Sequence, residues 1–362
     1  MGDLVGDLEG TFGGSRVLVT GSTGFKGSWL SCWLTLLGAE VHGYALEPER
    51  REDLFSAAGL GGSIRQEYGD IRDYPRLLSF FQAVKPDFVF HLAAQPLVGR
   101  SYLEPKLTVD TNVGGSLNVL EAVRKTPGIR ALVYITSDKC YLNREWCWGY
   151  RENDTLGGRD PYSASKAAAE IIFAAFASSF FDRRERFGAA SARAGNVMGG
   201  GDWSPDRIVP DCIRALSADQ PIRLRQPGAT RPWQHVLEPL CGYLALAHRL
   251  VEDPARYRGS YNFGPDSATM KTVQELAEAV LRAWGRGSLD LAVGEQGYAE
   301  AGLLHLNSDK ARQVLGWRPR WDFRETVGKT VAWYRGYLEG ADPLDLTTAQ
   351  IHEYMESMER SG

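Results

Sequence analysis

From Ser15 to about Ile135 the apolar positions fall into two alternating patterns. Short runs rich in β-branched residues (Arg16–Thr20, Val41–Ala45, Asp87–Leu92 and Ala131–Thr136) read as strands. Between them, Ser28–Leu37, Tyr74–Val84 and Asn112–Arg124 carry apolar residues three and four apart with polar ones between, which is helical spacing. Strand and helix in strict alternation predict an α/β fold built on a doubly wound parallel sheet. Strands of such a sheet are covered on both faces, and ligands bind at their carboxyl ends.

The second half is less regular. A loop rich in Trp, Asn and Gly, Leu142–Asp160, precedes a helical stretch at Ser163–Arg183. Gly195–Pro210 holds glycines, Trp203 and two prolines, and Gln220–Trp233 reads as a hairpin or extended loop. Helices are expected at about Leu237–Glu252 and Thr272–Ala283. This pattern divides the chain into a nucleotide-binding part, residues 1–194, and a smaller α/β substrate lobe, residues 195–362, interleaved with the last sheet strands.

Composition narrows the function. With 41 Lys+Arg against 45 Asp+Glu in 362 residues, the net charge is −4, and there is no basic footprint for nucleic acid. The richest apolar stretch near the N-terminus, Leu30–Leu37, is interrupted by Thr35 and far shorter than the ~20 residues of a membrane span. The acidic first ten residues lack the order of a signal peptide. Five scattered cysteines without CxxC or zinc spacing read as reduced, mostly buried thiols of a cytoplasmic protein, with no metal site. Glycine is in excess, 40 of 362 against a usual ~7 %, as expected where backbone closes tightly around a ligand.

That glycine concentrates after the first strand. Val17-Leu18-Val19-Thr20 runs into Gly21-Ser22-Thr23-Gly24-Phe25-Lys26-Gly27 and then a helical pattern. Glycines at a strand–helix turn let the backbone approach a pyrophosphate facing the helix N-terminus. The spacing is GxxGxxG rather than GxGxxG, and the alternative is a turn that binds nothing. An acidic residue ~20 positions on would hold the adenosine ribose of NAD. Glu47 stands there, although Arg50 and Arg51 behind it could instead meet the 2′-phosphate of NADP. Asp70 and Ile71, after the third strand, are candidates for the adenine edge, with a helix cap as the plainer role for Asp70.

Tyr162-Ser163-Ala164-Ser165-Lys166 opens a helical stretch, so Tyr162 and Lys166 are i,i+4 neighbours on one face. A tyrosine titrates near ~10, and a nearby ammonium favours its phenolate. Such a pair can take a proton from an alcohol while hydride leaves for a nicotinamide. The alternative is an exposed Tyr and Lys on a helix.

Taken together, GxxGxxG, the strand end His91-Leu92-Ala93-Ala94, Thr136-Ser137 and YxxxK resemble the extended short-chain dehydrogenase/reductases acting on nucleotide sugars, over nearly the whole chain. The resemblance implies a Rossmann domain binding NAD through Gly21, Thr23, Gly24, Phe25, Gly27, Ala93, Tyr162 and Lys166, a lobe binding a nucleotide diphosphate sugar, and a homodimer or higher homo-oligomer. Within that family, the 4,6-dehydratases follow the Ser/Thr with an acid–base pair. Asp138-Lys139 is similar to the Asp-then-Lys order of those acting on CDP-glucose. The implied roles are Ser137 on the C4 oxygen, Tyr162 as C4 base, Lys139 as C5 base and Asp138 as acid to the departing C6 hydroxyl. For the substrate, Arg231 and Arg207 are candidates for the diphosphate and Asn196 for a phosphate or sugar hydroxyl. Glu300 lies where the family carries His-Glu-Ala, here Ala299-Glu300-Ala301. The competing readings are a 4-epimerase or reductase, which needs no Asp138-Lys139, and a non-catalytic dinucleotide sensor or scaffold.

Overall fold

In the computed structural model, which describes residues 4–224, 226–266, 270–291 and 302–359, seven parallel strands form one sheet. They are β1 (Arg16–Thr20), β2 (Glu40–Ala45), β3 (Arg65–Tyr68), β4 (Phe88–His91), β5 (Ala131–Ile135), β6 (Gly188–Ala194) and β7 (Gly259–Phe263). Their spatial order is β7-β6-β5-β4-β1-β2-β3. β1 therefore lies between β2 and β4, with Val17 opposite both Val41 and Phe88. The chain winds outward in both directions from this point, the place where a doubly wound sheet opens a crevice at its carboxyl edge.

Alternation along the strands feeds two cores. Val17, Val19, Phe88, Phe90 and Val133 face one side, against Trp29 and Trp33 of helix Phe25–Leu36 and Leu240 and Leu244 of helix Leu237–Glu252. Leu18, Val89, Leu132 and Tyr134 face the other, against helices Tyr74–Val84, Ser116–Lys125 and Pro161–Phe176. β6 was not apparent from pattern because Gly-Ala-Ala-Ser-Ala-Arg-Ala has no large apolar residue, yet every position in it is buried. β3, with sequence Arg-Gln-Glu-Tyr, is an edge strand and carries the polar side chains an edge tolerates.

The C-terminal helices Phe323–Leu338 and Pro343–Glu359 close over the first core. The former starts in a capping box between Asp322 and Glu325. Buried Glu238 anchors the pair by accepting the Tyr354 hydroxyl at 2.6 Å and the Trp321 backbone N–H at 2.8 Å. Gly199–Gly201, within the stretch assigned from sequence to the substrate lobe, is used for this packing. A Cβ on Gly200 would lie 1.9 Å from the Trp333 ring, and the Gly200 carbonyl accepts from Trp29 Nε1 at 3.0 Å.

Gln220–Trp233 does not form a hairpin. Ile222–Arg223 pairs in parallel with Leu289–Asp290, and Thr230–Arg231 pairs antiparallel with Lys271–Thr272. The helix expected from Asn112 begins as a widened π turn, Asp110–Gly115, before Ser116–Lys125. Helix Pro161–Phe176 likewise runs on through a π turn to Phe181, giving 21 residues with a mean hydropathy of 1.3 over the most apolar 18 of them. That is long and apolar enough to cross a membrane by composition, but it carries buried Lys166 and Glu170. All five cysteines are free thiols, four of them buried and Cys147 exposed.

Candidate active site

The catalytic candidates converge at the carboxyl ends of β1, β5 and β6. β5 stops at Ile135, and the Thr136 N–H still bonds to the Ala192 carbonyl at 2.9 Å. The chain then turns sharply. Ser137 caps a 3-10 turn, Asp138–Cys140, by accepting the Lys139 N–H at 3.2 Å and donating to Asp138 Oδ1 at 2.9 Å. Three residues per turn, rather than the two-fold alternation of a strand, remove the difficulty of adjacent residues pointing to opposite faces. Asp138 turns inward and is buried, while Lys139 is half-buried beside it.

Helix Pro161–Phe176 supplies the second pair. Asp160 caps it by accepting from Ser163 N at 2.9 Å and Oγ at 2.6 Å, and Pro161 occupies the first turn. Tyr162 and Lys166, one turn apart, are both buried, with the Ser137 hydroxyl beside the Tyr162 phenol. The Lys166 side chain makes no hydrogen bond or ion pair among the described residues.

Electrostatics sharpen the roles. Burial pushes the Asp138 carboxyl above the usual carboxylate range, against the opposing pull of Lys139, Ser137, Lys26 and Arg231. A carboxyl that holds its proton more tightly than usual is suited to the role of general acid. Burial also lowers Lys166 to about 8, with Glu170 and Cys140 opposing. Tyr162 departs from expectation: burial pushes it up to about 12, and the groups that lower it are Ser137 and Arg207 rather than Lys166. The Tyr–Lys pair in this structure is therefore a neutral phenol beside a cation, and deprotonation has to be coupled to an arriving substrate.

At the cofactor turn, Gly21 has φ +76, and a Cβ there would meet the Ala93 nitrogen at 2.7 Å, so the ends of β1 and β4 close on each other. A Cβ on Gly27 would fall 2.0 Å from the Gly21 carbonyl oxygen. Gly24 is the N-cap of helix Phe25–Leu36 and offers its first N–H groups no side-chain acceptor. An uncapped helix N-terminus at the sheet's switch point fits a pyrophosphate. Thr23 ties the turn to the end of β2, donating to the Leu46 carbonyl at 2.9 Å, and the Phe25 ring packs on Gly199.

Lys26, in the same turn, escaped sequence reasoning. It is half-buried and without a hydrogen bond or ion pair among the described residues. Burial, Arg207 and Lys166 lower it to about 8, while Asp138 pulls the other way. The signal lay in the motif itself: a lysine where the helix otherwise turns apolar residues inward.

Glu47 and Asp70 lie farther along the sheet edge, past β2 and β3. Glu47 is exposed and lines an open cleft of about 510 Å³ with Arg51, Phe55 and Tyr68. Arg50 also lines that cleft, but its guanidinium donates to the Trp203 carbonyl at 3.2 Å and lies 3.8 Å from Asp53, and so is already engaged. Asp70 is not a helix cap, since Asp73 caps helix Tyr74–Val84; its carboxylate accepts from the backbone N and the guanidinium of Arg72. Ile71 is buried against Gly115, and its carbonyl accepts from Asn118 at 2.9 Å.

On the substrate side, Arg231 is buried with Nη1 donating to the Thr230 carbonyl at 2.9 Å, and its charge reaches Asp138. Arg207 is held by Asp202 at 2.7 Å with its charge directed toward Tyr162 and Lys26. Asn196 is half-buried in the segment after β6. Glu300 lies outside the described residues. Loop Leu142–Asp160 leans on the far lobe, with Asn143 Nδ2 donating to the Leu303 carbonyl at 3.1 Å.

Comparison with known proteins bears on the family and the fold. The family model of GDP-mannose 4,6 dehydratase matches residues 18–330. The chain is 47 % identical to a CDP-glucose 4,6-dehydratase of Salmonella typhimurium over 351 residues, 96 % of this chain and 98 % of the relative. Among solved structures it is similar to an epimerase of Methanothermobacter thermautotrophicus, with TM-score 0.79 and 24 % identity over 93 % of this chain and 97 % of that one. A dTDP-glucose 4,6-dehydratase from Bacillus anthracis in complex with NAD superposes with TM-score 0.73 and 20 % identity, over 91 % of this chain and 99 % of that one. At those identities the two structures establish the fold alone.

Proposed function

Because the chain belongs to the GDP-mannose 4,6 dehydratase family, we propose that it is a lyase that converts CDP-D-glucose to CDP-4-keto-6-deoxy-D-glucose on a bound NAD. The observation that carries this reading is the turn Asp138–Cys140, which sets a buried carboxyl, raised by that burial, near Tyr162 with Lys139 next to it in the turn. An epimerase or reductase needs only the tyrosine and lysine, and a sensor or scaffold needs neither pair.

Gly21, Gly24 and Gly27 with Lys166 would hold NAD, which when bound would supply a reversible hydride acceptor for the sugar. Tyr162 receives the C4 hydroxyl proton, with Ser137 hydrogen-bonded to the same oxygen. The resulting ketone acidifies C5–H, which Lys139 removes, while Asp138 protonates the departing C6 hydroxyl so that water leaves. Lys139 then returns its proton to C5. Residues 1–194 carry the cofactor site and residues 195–362 mainly the nucleotide sugar, with Arg231, Arg207 and Asn196 toward the substrate and Glu300 assigned to it by resemblance alone. Engagement of Arg50 by Trp203 and Asp53, with Glu47 exposed at the end of β2, supports NAD over NADP.

The same reading makes the protein a cytoplasmic homodimer. Its free thiols fit a reducing compartment. Leu103, Val109, Leu117, Ile171 and Phe180 are exposed on neighbouring helices of one side, a surface suited to a second copy. The experiment that tests the function incubates purified protein with CDP-, dTDP-, UDP- and GDP-glucose and catalytic NAD. CDP-glucose is expected to give the 4-keto-6-deoxy product by NMR without accumulating NADH. No product from any of the four would overturn the reading.

A further inference from the structure

Glu170 lies one turn after Lys166 on helix Pro161–Phe176 and is 1 % exposed. Its carboxylate is shared among separate elements. Oε1 accepts from the hydroxyl of Thr136, the residue before Ser137. Oε2 accepts from Ser191 Oγ at 2.8 Å and from Arg193 Nη2 at 2.7 Å, both on β6. Arg193, 3 % exposed, carries the connection onward, from Nη1 to the Tyr141 hydroxyl at 2.7 Å and from Nη2 to Ser260 Oγ on β7 at 3.0 Å. A buried ion pair is weak support for stability, because apolar residues of similar volume often serve as well. Here the same carboxylate joins the helix that carries Tyr162 and Lys166 both to β6, through Arg193, and to the end of β5 that carries Ser137 and Asp138, through Thr136.

We propose that Glu170 is a positioning residue of the reaction: bridging Thr136 and Arg193, it sets the separation of the two catalytic pairs and provides the counter-charge facing Lys166. The turnover part of this inference rests on the dehydratase reading, but the counter-charge part does not. The other titratable groups around Lys166 are Cys140 from the turn after β5, His91 from the end of β4, and Lys26 from helix Phe25–Leu36. None of these is a carboxylate; Glu170 is one, on the Lys166 helix itself, and it raises Lys166 where burial lowers it.

The test uses the full chain. Thr136→Val removes one hydrogen bond to Glu170 without changing side-chain volume. It is expected to fold normally and to lose about tenfold or more in kcat with KM little changed, the mark of misplaced rather than unbound substrate. Glu170→Leu with Arg193→Met replaces the ion pair by an apolar one; regained thermal stability with kcat still depressed supports positioning. In Glu170→Gln, the pH dependence of Lys166 acetylation, followed by mass spectrometry, should move to lower pH because the ammonium has lost its counter-charge. Wild-type kcat in folded Thr136→Val and in the double variant, or an unmoved Lys166 profile in Glu170→Gln, overturns the proposal. Where Glu170→Gln does not fold, Thr136→Val and the double variant decide it. If the wild-type chain fails to dehydrate CDP-glucose, the functional reading fails, and the acetylation profile still decides whether Glu170 governs Lys166.

Discussion

Asp138 packs against Gly195 so closely that a Cβ on the glycine would come within 2.8 Å of Asp138 Oδ2. The backbone after β6 thus serves as a wall for the carboxyl that ends β5. Gly195→Ala must displace that carboxyl, and an error of about 1 Å can cost ~100-fold in rate. Turnover of CDP-glucose should fall at least tenfold, while the melting temperature, read by scanning fluorimetry, stays within a few degrees of wild type.

Tyr162→Phe removes the only hydroxyl assigned to the C4 proton and leaves the ring in its buried place. Loss of a general base typically costs about 10²–10⁴-fold. Product formation followed by NMR should drop by that order, and a loss smaller than tenfold would reassign the C4 base.

Lys26 brings a positive charge to an uncapped helix N-terminus, and its lowered value of about 8 makes that charge sensitive to mild alkali. NAD retained through gel filtration should therefore decline between pH 7 and 9. Lys26→Met should show the low retention already at pH 7 and no further dependence on Lys26 ionisation. Retention in Lys26→Met equal to wild type would separate this lysine from the cofactor.

Glu238 lies under the C-terminal helices, and burial raises it from an ordinary 4.5 to about 7 despite the bonds from Tyr354, Trp321 and Arg320. A folded-state value above the unfolded one gives stability that is complete below about pH 4.5 and lost as pH rises through about 7. The difference corresponds to roughly 3 kcal/mol. Glu238→Gln escapes that loss, so its melting temperature relative to wild type should be higher at pH 8 than at pH 5. An identical difference at both pH values would refute it.

Ile171, exposed on helix Pro161–Phe176, lies five residues after buried Lys166 and on the outer side. Ile171→Glu should shift the species seen by light scattering from dimer to monomer. A wild-type chain that is already monomeric would remove the dimer from the proposal.

How far the sequence foretold this molecule depended on whether a signal was local. β1 was legible because Val17-Leu18-Val19 is apolar in both directions, and the turn after it because glycine is the residue that admits the φ of Gly21. Asp138-Lys139 was legible as a pair, but their convergence was not, since it depends on Ser137 starting a 3-10 turn. β6 was hidden by its small side chains. Glu170 was hidden for a different reason: its partners Thr136, Ser191 and Arg193 come from other elements, and no spacing in the chain links a helix carboxylate to a strand guanidinium.

The final strand of the sheet, β7, pairs with β6 only after an excursion of residues 195–258. During synthesis β6 therefore emerges with an open edge and waits for its neighbour, and pairings of such sequence separation form slowly. A nascent chain halted after residue 194 would display that unpaired edge together with Arg193, whose contact to Ser260 does not yet exist. The interval between translating β6 and β7 is the window in which aggregation competes with folding and in which a chaperone would have most to offer.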